Sequence, residues 1–278
     1  MNLHVINTGF FKLDGGAMFG VVPKTIWQKT NPADDNNLCT WAMRSLLVEE
    51  GQRLILIDTG IGNKQDENFF RHYYLHGADS LTISLRRNGF TEADITDVFL
   101  THLHFDHCGG AVKRDGDQLT PAFPRARFWS NKAHWQWAVQ PNPREKASFL
   151  KENILPLQER AELVWAETET QAFPFMDVLY VSGHTDSMMI PKIQYNGHTI
   201  CFMADLLPSV GHIPLPYVMG YDTRPLLTLA EKEAFLNEAA ERQYILFFEH
   251  DPVNECCTVK KTEKGVRLDR VFPLSEVL

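Results

Sequence analysis

Over roughly residues 1–60 the chain alternates short apolar runs with polar turns, a pattern of strands. Arg44-Ser45-Leu46-Leu47-Val48 and Leu54-Ile55-Leu56-Ile57 flank the turn Glu49-Glu50-Gly51-Gln52 and predict a hairpin. Asn31–Asn37 is polar throughout and predicts a loop. Thr96-Asp97-Val98-Phe99-Leu100 reads as a buried strand, and further strands are expected at about 162–181, 189–204 and 244–249. A last hairpin is expected from Cys257-Thr258-Val259-Lys260 and Gly265-Val266-Arg267-Leu268.

Helical spacing appears in three places. Residues 79–89 put Leu81 and Leu85 on one face, with Asp79 or Ser80 as the cap. The longest helical stretch is 131–165, where Asn131 is a plausible cap and Trp135 and Trp137 fall in the first turns. Pro141 and Pro143 break it, and a second piece runs from about 144 to 160 with Phe149, Leu150, Leu155 and Leu157. A third helix fits Leu229 to Arg242. Strands and helices thus alternate in two comparable halves joined by a helical insertion. The pattern suits an α/β fold, a four-layer αββα sandwich forming one domain over 1–278 with its insertion at about 131–165.

One segment stands apart chemically. Thr101-His102-Leu103-His104-Phe105-Asp106-His107-Cys108-Gly109-Gly110 packs three histidines and a carboxylate into six positions. Side chains two apart on an extended segment share a face, so His102 and His104 can reach one ion together. Asp106 and His107 follow where the strand must turn and can face a second ion, and Gly109 and Gly110 allow a tight turn into a helix. Imidazole with carboxylate suits zinc, and also iron, cobalt, nickel or manganese. Four ligands cannot complete two metal sites. His184 follows Val178-Leu179-Tyr180, Asp205 ends the strand Thr199–Ala204, and His250 ends the strand Tyr244–Phe248, so each sits where site loops gather in α/β folds. Taken alone, Asp205 could cap a helix ahead of Pro208 and Ser209, and His250 could be a capping or core residue. Asp186, Glu249 and Asp251 read as cap, turn or surface residues. His4, His72, His76, His134 and His198 match no motif and default to structure.

On these motifs the chain resembles the metallo-β-lactamase superfamily over nearly all its length. The resemblance implies one metal on His102, His104 and His184, a second on Asp106, His107 and His250, and Asp205 bridging them together with a water or hydroxide. It also implies that Asp58, in Asp58-Thr59-Gly60, orients the site without binding metal, since ligand histidines need a partner on their other nitrogen. Two divalent cations, zinc first, are the cofactors it implies. The reaction it implies is hydrolysis, with a bridging hydroxide as the expected nucleophile and Asp106 expected to bind metal and pass a proton to the leaving group.

Ligand choice narrows the chemistry further. His104 stands where iron-based oxygen-reducing relatives usually carry a carboxylate. Asp205 stands where true β-lactamases generally lack one. Thioesterase relatives carry a helical region after the last ligand, whereas here about 28 residues follow His250 and read as strands. Two stretches are most similar to N-acyl homoserine lactone lactonases: His104–Gly110 and Ala204-Asp205-Leu206-Leu207-Pro208-Ser209-Val210-Gly211-His212-Ile213-Pro214-Leu215-Pro216. The opening Leu13–Pro23 resembles those lactonases and organophosphate-hydrolysing relatives. Some lactonases carry a tyrosine three residues after the bridging aspartate; here that position is Pro208, which leaves His212, Tyr217 or Tyr221 to supply an imidazole or hydroxyl. Met18, Phe19, Phe105 and Ile213 are candidates for an apolar pocket or for core packing. The expected substrate is therefore a small lactone or ester. The alternatives are a phosphotriesterase or arylesterase on the same site, and a non-catalytic metal-binding or redox diiron protein.

Composition adds bounds. A net charge of −8, from 27 basic and 35 acidic residues, argues against nucleic acid. No apolar run is long enough to span a bilayer, and the first residues lack a basic segment followed by an apolar one, so neither a membrane nor a signal peptide is expected. Five cysteines, an odd number, with Cys201 inside an apolar strand, fit free thiols in the cytoplasm. Cys108 reads as a small buried filler beside the ligands. For a homodimer, Trp27 and Trp41 are the interface candidates.

Overall fold

The computed structural model describes residues 1–167 and 172–277. The chain forms two compact units, one from Met1–Gly9 and Met43–Gln171, the other from Phe10–Ala42 and Ala172–Leu278. The strand run expected over 162–181 includes 168–171, which lie outside the described residues.

The first sheet comprises β1 (Asn2–Asp14), β2 (Leu38–Glu50), β3 (Arg53–Ile57), β4 (Asp97–Phe99), β7 (Arg127–Ser130) and β8 (Glu162–Trp165), in the order β1-β2-β3-β4-β7-β8. A separate hairpin, β5 (Val112–Asp115) with β6 (Gln118–Pro121), lies between β4 and β7 in sequence. The hairpin read from 44–57 is present: β2 and β3 are antiparallel, with Leu46 opposite Ile57 and Val48 opposite Ile55. From β3 to β8 the strands are parallel, with Leu56 beside Val98, Val98 beside Phe128 and Phe128 beside Leu163. Parallel strands are buried on both faces, which is why these segments are nearly unbroken apolar runs. Leu47, Leu56, Val98, Phe128 and Leu157 share one buried core.

The helices keep their expected places with shifted ends. Leu81–Arg87 is capped by Ser80, whose Oγ accepts from Ile83 N. Lys132–Val139 is capped by Asn131, whose Oδ1 accepts from His134 N at 2.8 Å. The second piece of the insertion begins at Lys151 rather than 144, because Asn142 Oδ1 takes the Arg144 and Glu145 amides and makes a turn instead.

The second sheet runs β14-β13-β12-β11-β10-β9, where β9 is Met176–Val181, β10 Met188–Tyr195, β11 His198–Phe202, β12 Ile245–Phe247, β13 Cys256–Thr262 and β14 Gly265–Phe272. Only β11 and β12 pair in parallel there, with Cys201 beside Leu246. The helix Pro225–Arg242 starts one turn earlier than its apolar spacing indicates, with Pro225 at the first helical position, and ends at Gln243 in the left-handed conformation. Trp27 and Trp41 are not interface residues: both are buried in the second unit, and Trp27 stacks on Phe19 with ring centroids 5.3 Å apart. Among the described residues no helix is long and apolar enough to cross a membrane.

Gly109 and Gly110 are required for a different reason than a tight turn. Gly109 has ordinary helical angles, φ −59° and ψ −40°, and the helix Phe105–Cys108 precedes it. What the backbone cannot accommodate is a Cβ: one on Gly109 would sit 2.1 Å from the Ile61 carbonyl oxygen, and one on Gly110 2.3 Å from that of Thr59. Gly109→Ala should therefore destabilise the protein by about 3 kcal/mol. Gly116→Ala meets nothing within 4 Å and has only its positive φ of 57° to overcome, at about 1 kcal/mol. Thermal unfolding of the two variants checks this, and equal losses would show that the close approach is not the constraint.

Candidate metal centre

Every ligand candidate lies just past a strand's C-terminal end, so the sheets fix where the chain leaves off and the loops present the side chains. In the first unit Asp58 follows β3 and the His102 segment follows β4. These strands are parallel neighbours, and Asp58 N donates to Phe99 O. Asp58 is fully buried with φ +55°, a conformation aspartate tolerates better than most residues. Its carboxylate accepts from Thr101 N at 2.8 Å on Oδ1 and from Thr101 Oγ1 at 2.6 Å on Oδ2. With its proton committed to Asp58, the Thr101 hydroxyl can only accept from His102 Nδ1, 3.1 Å away. His107 Nδ1 faces Asp58 Oδ2 at 3.1 Å. Both rings are thereby fixed with hydrogen on Nδ1 and the Nε2 lone pair presented outward. The expected orienting role of Asp58 thus has a geometric basis, through Thr101 for one ring and directly for the other.

His104 is presented the other way round, its Nδ1 3.1 Å from His102 Nε2. Asp106 and His107 share the one-turn helix Phe105–Cys108, with Asp106 Oδ2 3.9 Å from His107 Nε2. Thr59 N and Oγ1 both donate to His107 O, tying this helix to the Asp58 turn. Cys108 is a buried filler as expected, donating to Leu103 O, and burial pushes its thiol up to about 12.

The second unit carries the other three candidates. Asp205 is reached through Ala204, whose φ of +41° turns the chain sharply after β11. Asp205 Oδ2 lies 3.0 Å from His184 Nε2, and Oδ1 lies 3.1 Å from His250 Nε2. His184 Nδ1 faces Asp222 Oδ1 at 2.9 Å, and His250 Nδ1 donates to Ala42 O at 2.8 Å. These rings too hold hydrogen on Nδ1 and turn Nε2 toward the carboxylate. The loop bearing His184 is pinned by Glu231, which accepts from Ser182 N at 2.7 Å and Gly183 N at 2.9 Å. Gly183 is needed because a Cβ there would lie 2.3 Å from Thr228 N.

The donor set fits metal. Ligand atoms about 2.0–2.2 Å from a common cation, at angles of about 90–110°, lie about 3.0–3.5 Å from each other. The His102–His104, His184–Asp205 and His250–Asp205 separations of 3.0–3.1 Å fall in that range. Electrostatics agree. Burial opposes a charged His184, yet the charges and hydrogen bonds of Asp205 and Asp222 outweigh it and raise its pKa to about 10. The surroundings demand a positive charge at that point.

Several expectations need correction or refinement. His212, a candidate catalytic group, has both nitrogens engaged: Nε2 donates to Met18 O and Nδ1 pairs with Ser209 Oγ, each at 2.9 Å. It stacks on Phe19 at 4.5 Å, and burial holds its pKa down near 3, so the ring is a neutral packing element. Phe19 lies against both Trp27 and His212, and Met18 and Ile213 are equally buried, so these residues are core. Phe105 packs on Phe69 and Tyr73. Glu249 and Asp251 are buried, not surface; Asp251 accepts from the amides of Val210, Val253 and Asn254 and organises the turn after His250. Asp186 is a turn residue paired with Arg224 at 3.0 Å. Asp222 was not singled out from the sequence, because nothing local distinguishes it; its role exists only through a partner 38 positions away.

A model of the metallo-β-lactamase superfamily matches residues 44–250, well over half of the chain. The chain belongs to that superfamily, has its α/β fold, and is a metal-dependent hydrolase. An N-acyl homoserine lactonase of Bacillus cereus is 24% identical over 233 residues, covering 79% of this chain and 84% of that one. A solved structure of a probable metal-dependent hydrolase from Staphylococcus aureus is 29% identical with a TM-score of 0.87, over 98% of this chain and 96% of that one. The dizinc quorum-quenching lactonase AidC, solved with a product, is 22% identical with a TM-score of 0.81, over 98% and 95% of the two chains, and shares the fold.

Asp222→Ala should leave the fold intact while weakening zinc binding about 10–100-fold, the usual cost of losing a carboxylate behind a ligand imidazole. Chelator competition on the folded protein checks this, and unchanged affinity would show that Asp222 does not serve His184 as a ligand.

Proposed function

We propose that the two half-sites act as one dinuclear hydrolase centre that opens a lactone or related ester of the N-acyl homoserine lactone type. In this reading His102, His104 and His184 hold one divalent cation. Asp106, His107 and His250 hold the other, and Asp205 is shared. Zinc is the proposed metal, as in the dizinc lactonase of the same fold. The observation that carries the reading is the Asp205 carboxylate, which turns one oxygen to a histidine assigned to the first cation and the other oxygen to a histidine assigned to the second. The lactonase relatives, matched over most of both chains, support the substrate class.

When bound, such a metal pair supplies a nucleophile active near neutral pH and Lewis acidity toward a carbonyl oxygen. The chain's own residues do the rest. Four histidines have their Nδ1 hydrogens committed, to Asp58, Thr101, Asp222 and Ala42 O, so they orient rather than shuttle protons. The proton carrier assigned to the departing alcohol is Asp106, a carboxylate on a short helix whose position the Thr59 clamp on His107 O fixes. His212 takes no part. The substrate is a small molecule, in keeping with an acidic chain of net charge −8 that would repel nucleic acid. A cytoplasmic setting is part of the proposal, in line with five buried cysteine thiols.

Zinc-loaded protein should release acid from an N-acyl homoserine lactone. Hydrolysis of a paraoxon-like phosphotriester or an aryl ester without lactone opening would replace this reading with the phosphotriesterase one. No hydrolysis of any ester, with a redox-active iron pair, would replace it with the non-catalytic one. Asp205→Ala and His104→Ala should lose metal and activity together, whereas Asp106→Asn should fold normally and lose about 100-fold or more in kcat. Activity should fall as pH drops below about 6, because protons compete with metal for imidazole; a rate that holds at pH 5 would contradict histidine ligation.

A further inference from the structure

Four of the five histidines have an acceptor within hydrogen-bond reach of the nitrogen they turn away from the proposed cations. His104 is the exception in arrangement, since it presents Nδ1 and turns Nε2 toward the helical insertion. There it meets Glu145 Oε1 at 3.6 Å. Glu145 is almost wholly buried, only 3% exposed. Its other oxygen is fixed by Trp137 Nε1 at 2.7 Å and by Asn142 Nδ2. A buried carboxylate is costly to keep and needs compensation. Two neutral donors hold one oxygen in place, and the other faces the imidazole edge.

The rest of the insertion seats the same ring. His134 Nε2 accepts from Leu103 N at 2.8 Å, fixing the backbone between His102 and His104. Ser148 O accepts from Phe105 N at 3.0 Å on the far side of His104. Phe149 covers the ring, centroids 4.7 Å apart.

We infer that Glu145 is a positioning residue for His104, the outer carboxylate that keeps hydrogen on Nε2 and leaves the Nδ1 lone pair for a cation. The inference rests on the dinuclear reading above. Its physical content lies in the 3.1 Å contact between His102 Nε2 and His104 Nδ1. Thr101 already fixes His102 Nε2 as a lone pair. If His104 carried its hydrogen on Nδ1, the two rings would satisfy each other by a hydrogen bond and close the site. With the hydrogen drawn to Nε2 by a negative charge, two lone pairs face one another and only a cation relieves them. Glu145 also makes His104 a stronger donor to that cation.

Glu145→Gln keeps the size of the side chain and an oxygen for Trp137 and Asn142, and removes the charge. In chelator competition on the full chain, zinc affinity of Glu145→Gln should fall at least about tenfold, with circular dichroism and thermal unfolding close to those of the parent. Glu145→Asp should recover part of the loss. Glu152→Gln, on an exposed position of the neighbouring helix, should bind zinc like the parent. Parent-like affinity in a folded Glu145→Gln would overturn the inference and leave Glu145 a brace for Trp137 and Asn142. Failure of the parent protein itself to bind zinc would instead remove the dinuclear reading. If Glu145→Gln does not fold, Trp137→Phe provides the second test. It removes one of the two donors to the fixed oxygen of Glu145, leaving Asn142, and should lower zinc affinity by a smaller factor; no change there would count against the proposal.

Discussion

The site depends on tautomers being fixed before any ligand arrives. A neutral imidazole carries one hydrogen on one of two nitrogens, and only the other nitrogen can bind metal. Here the choice is made by acceptors placed behind the rings: Asp58 for His107, Asp58 acting through Thr101 for His102, Asp222 for His184 and a main-chain carbonyl for His250. Without them each ring would sample both forms and several orientations, and ordering them would fall on the binding step. The cost of burying so many polar groups is met by hydrogen bonds of 2.6–3.1 Å formed within the protein.

That arrangement in turn sets demands on the scaffold. Asp58 can serve two rings only because β3 and β4 are adjacent and parallel, with Ile57 beside Phe99. In the second unit β11 and β12 are adjacent and parallel in the same way, and they deliver Asp205 and His250. Tight packing around the loops completes the positioning. Gly109, Gly110 and Gly183 leave room for neighbouring backbone rather than for unusual torsion, and buried Lys64 donates to the Gly109 carbonyl beneath the ligand helix.

Much of this was legible in the sequence, and the parts that were not share a cause. The strands were readable because buried parallel strands are continuous apolar runs, as in Leu54–Ile57 and Ile245–Phe247. The first four ligand candidates were readable because they are crowded into six positions. His184, Asp205 and His250 were readable from their place after apolar strands, with the family motif to select them. Asp222 and Glu145 were not, since a lone carboxylate carries no pattern and its meaning comes from a partner far along the chain. Gly109 was correctly singled out for the wrong reason, because sequence suggests a turn where structure shows crowding. His212 misled by sitting in a lactonase-like stretch; its two hydrogen bonds and its stacking on Phe19 are visible only in three dimensions.

The carbonyl of Ala42 gives His250 a property its counterpart lacks. Ala42 and His250 exchange two main-chain-supported bonds, Ala42 N to His250 O at 3.0 Å and His250 Nδ1 to Ala42 O at 2.8 Å. A carboxylate such as Asp222 can be swapped, neutralised or lengthened by a single codon change, so the electron supply to His184 is open to adjustment. A peptide oxygen belongs to every amino acid and cannot be edited in that manner. Mutational drift can therefore retune His184 in small increments, while His250 stays locked to the backbone.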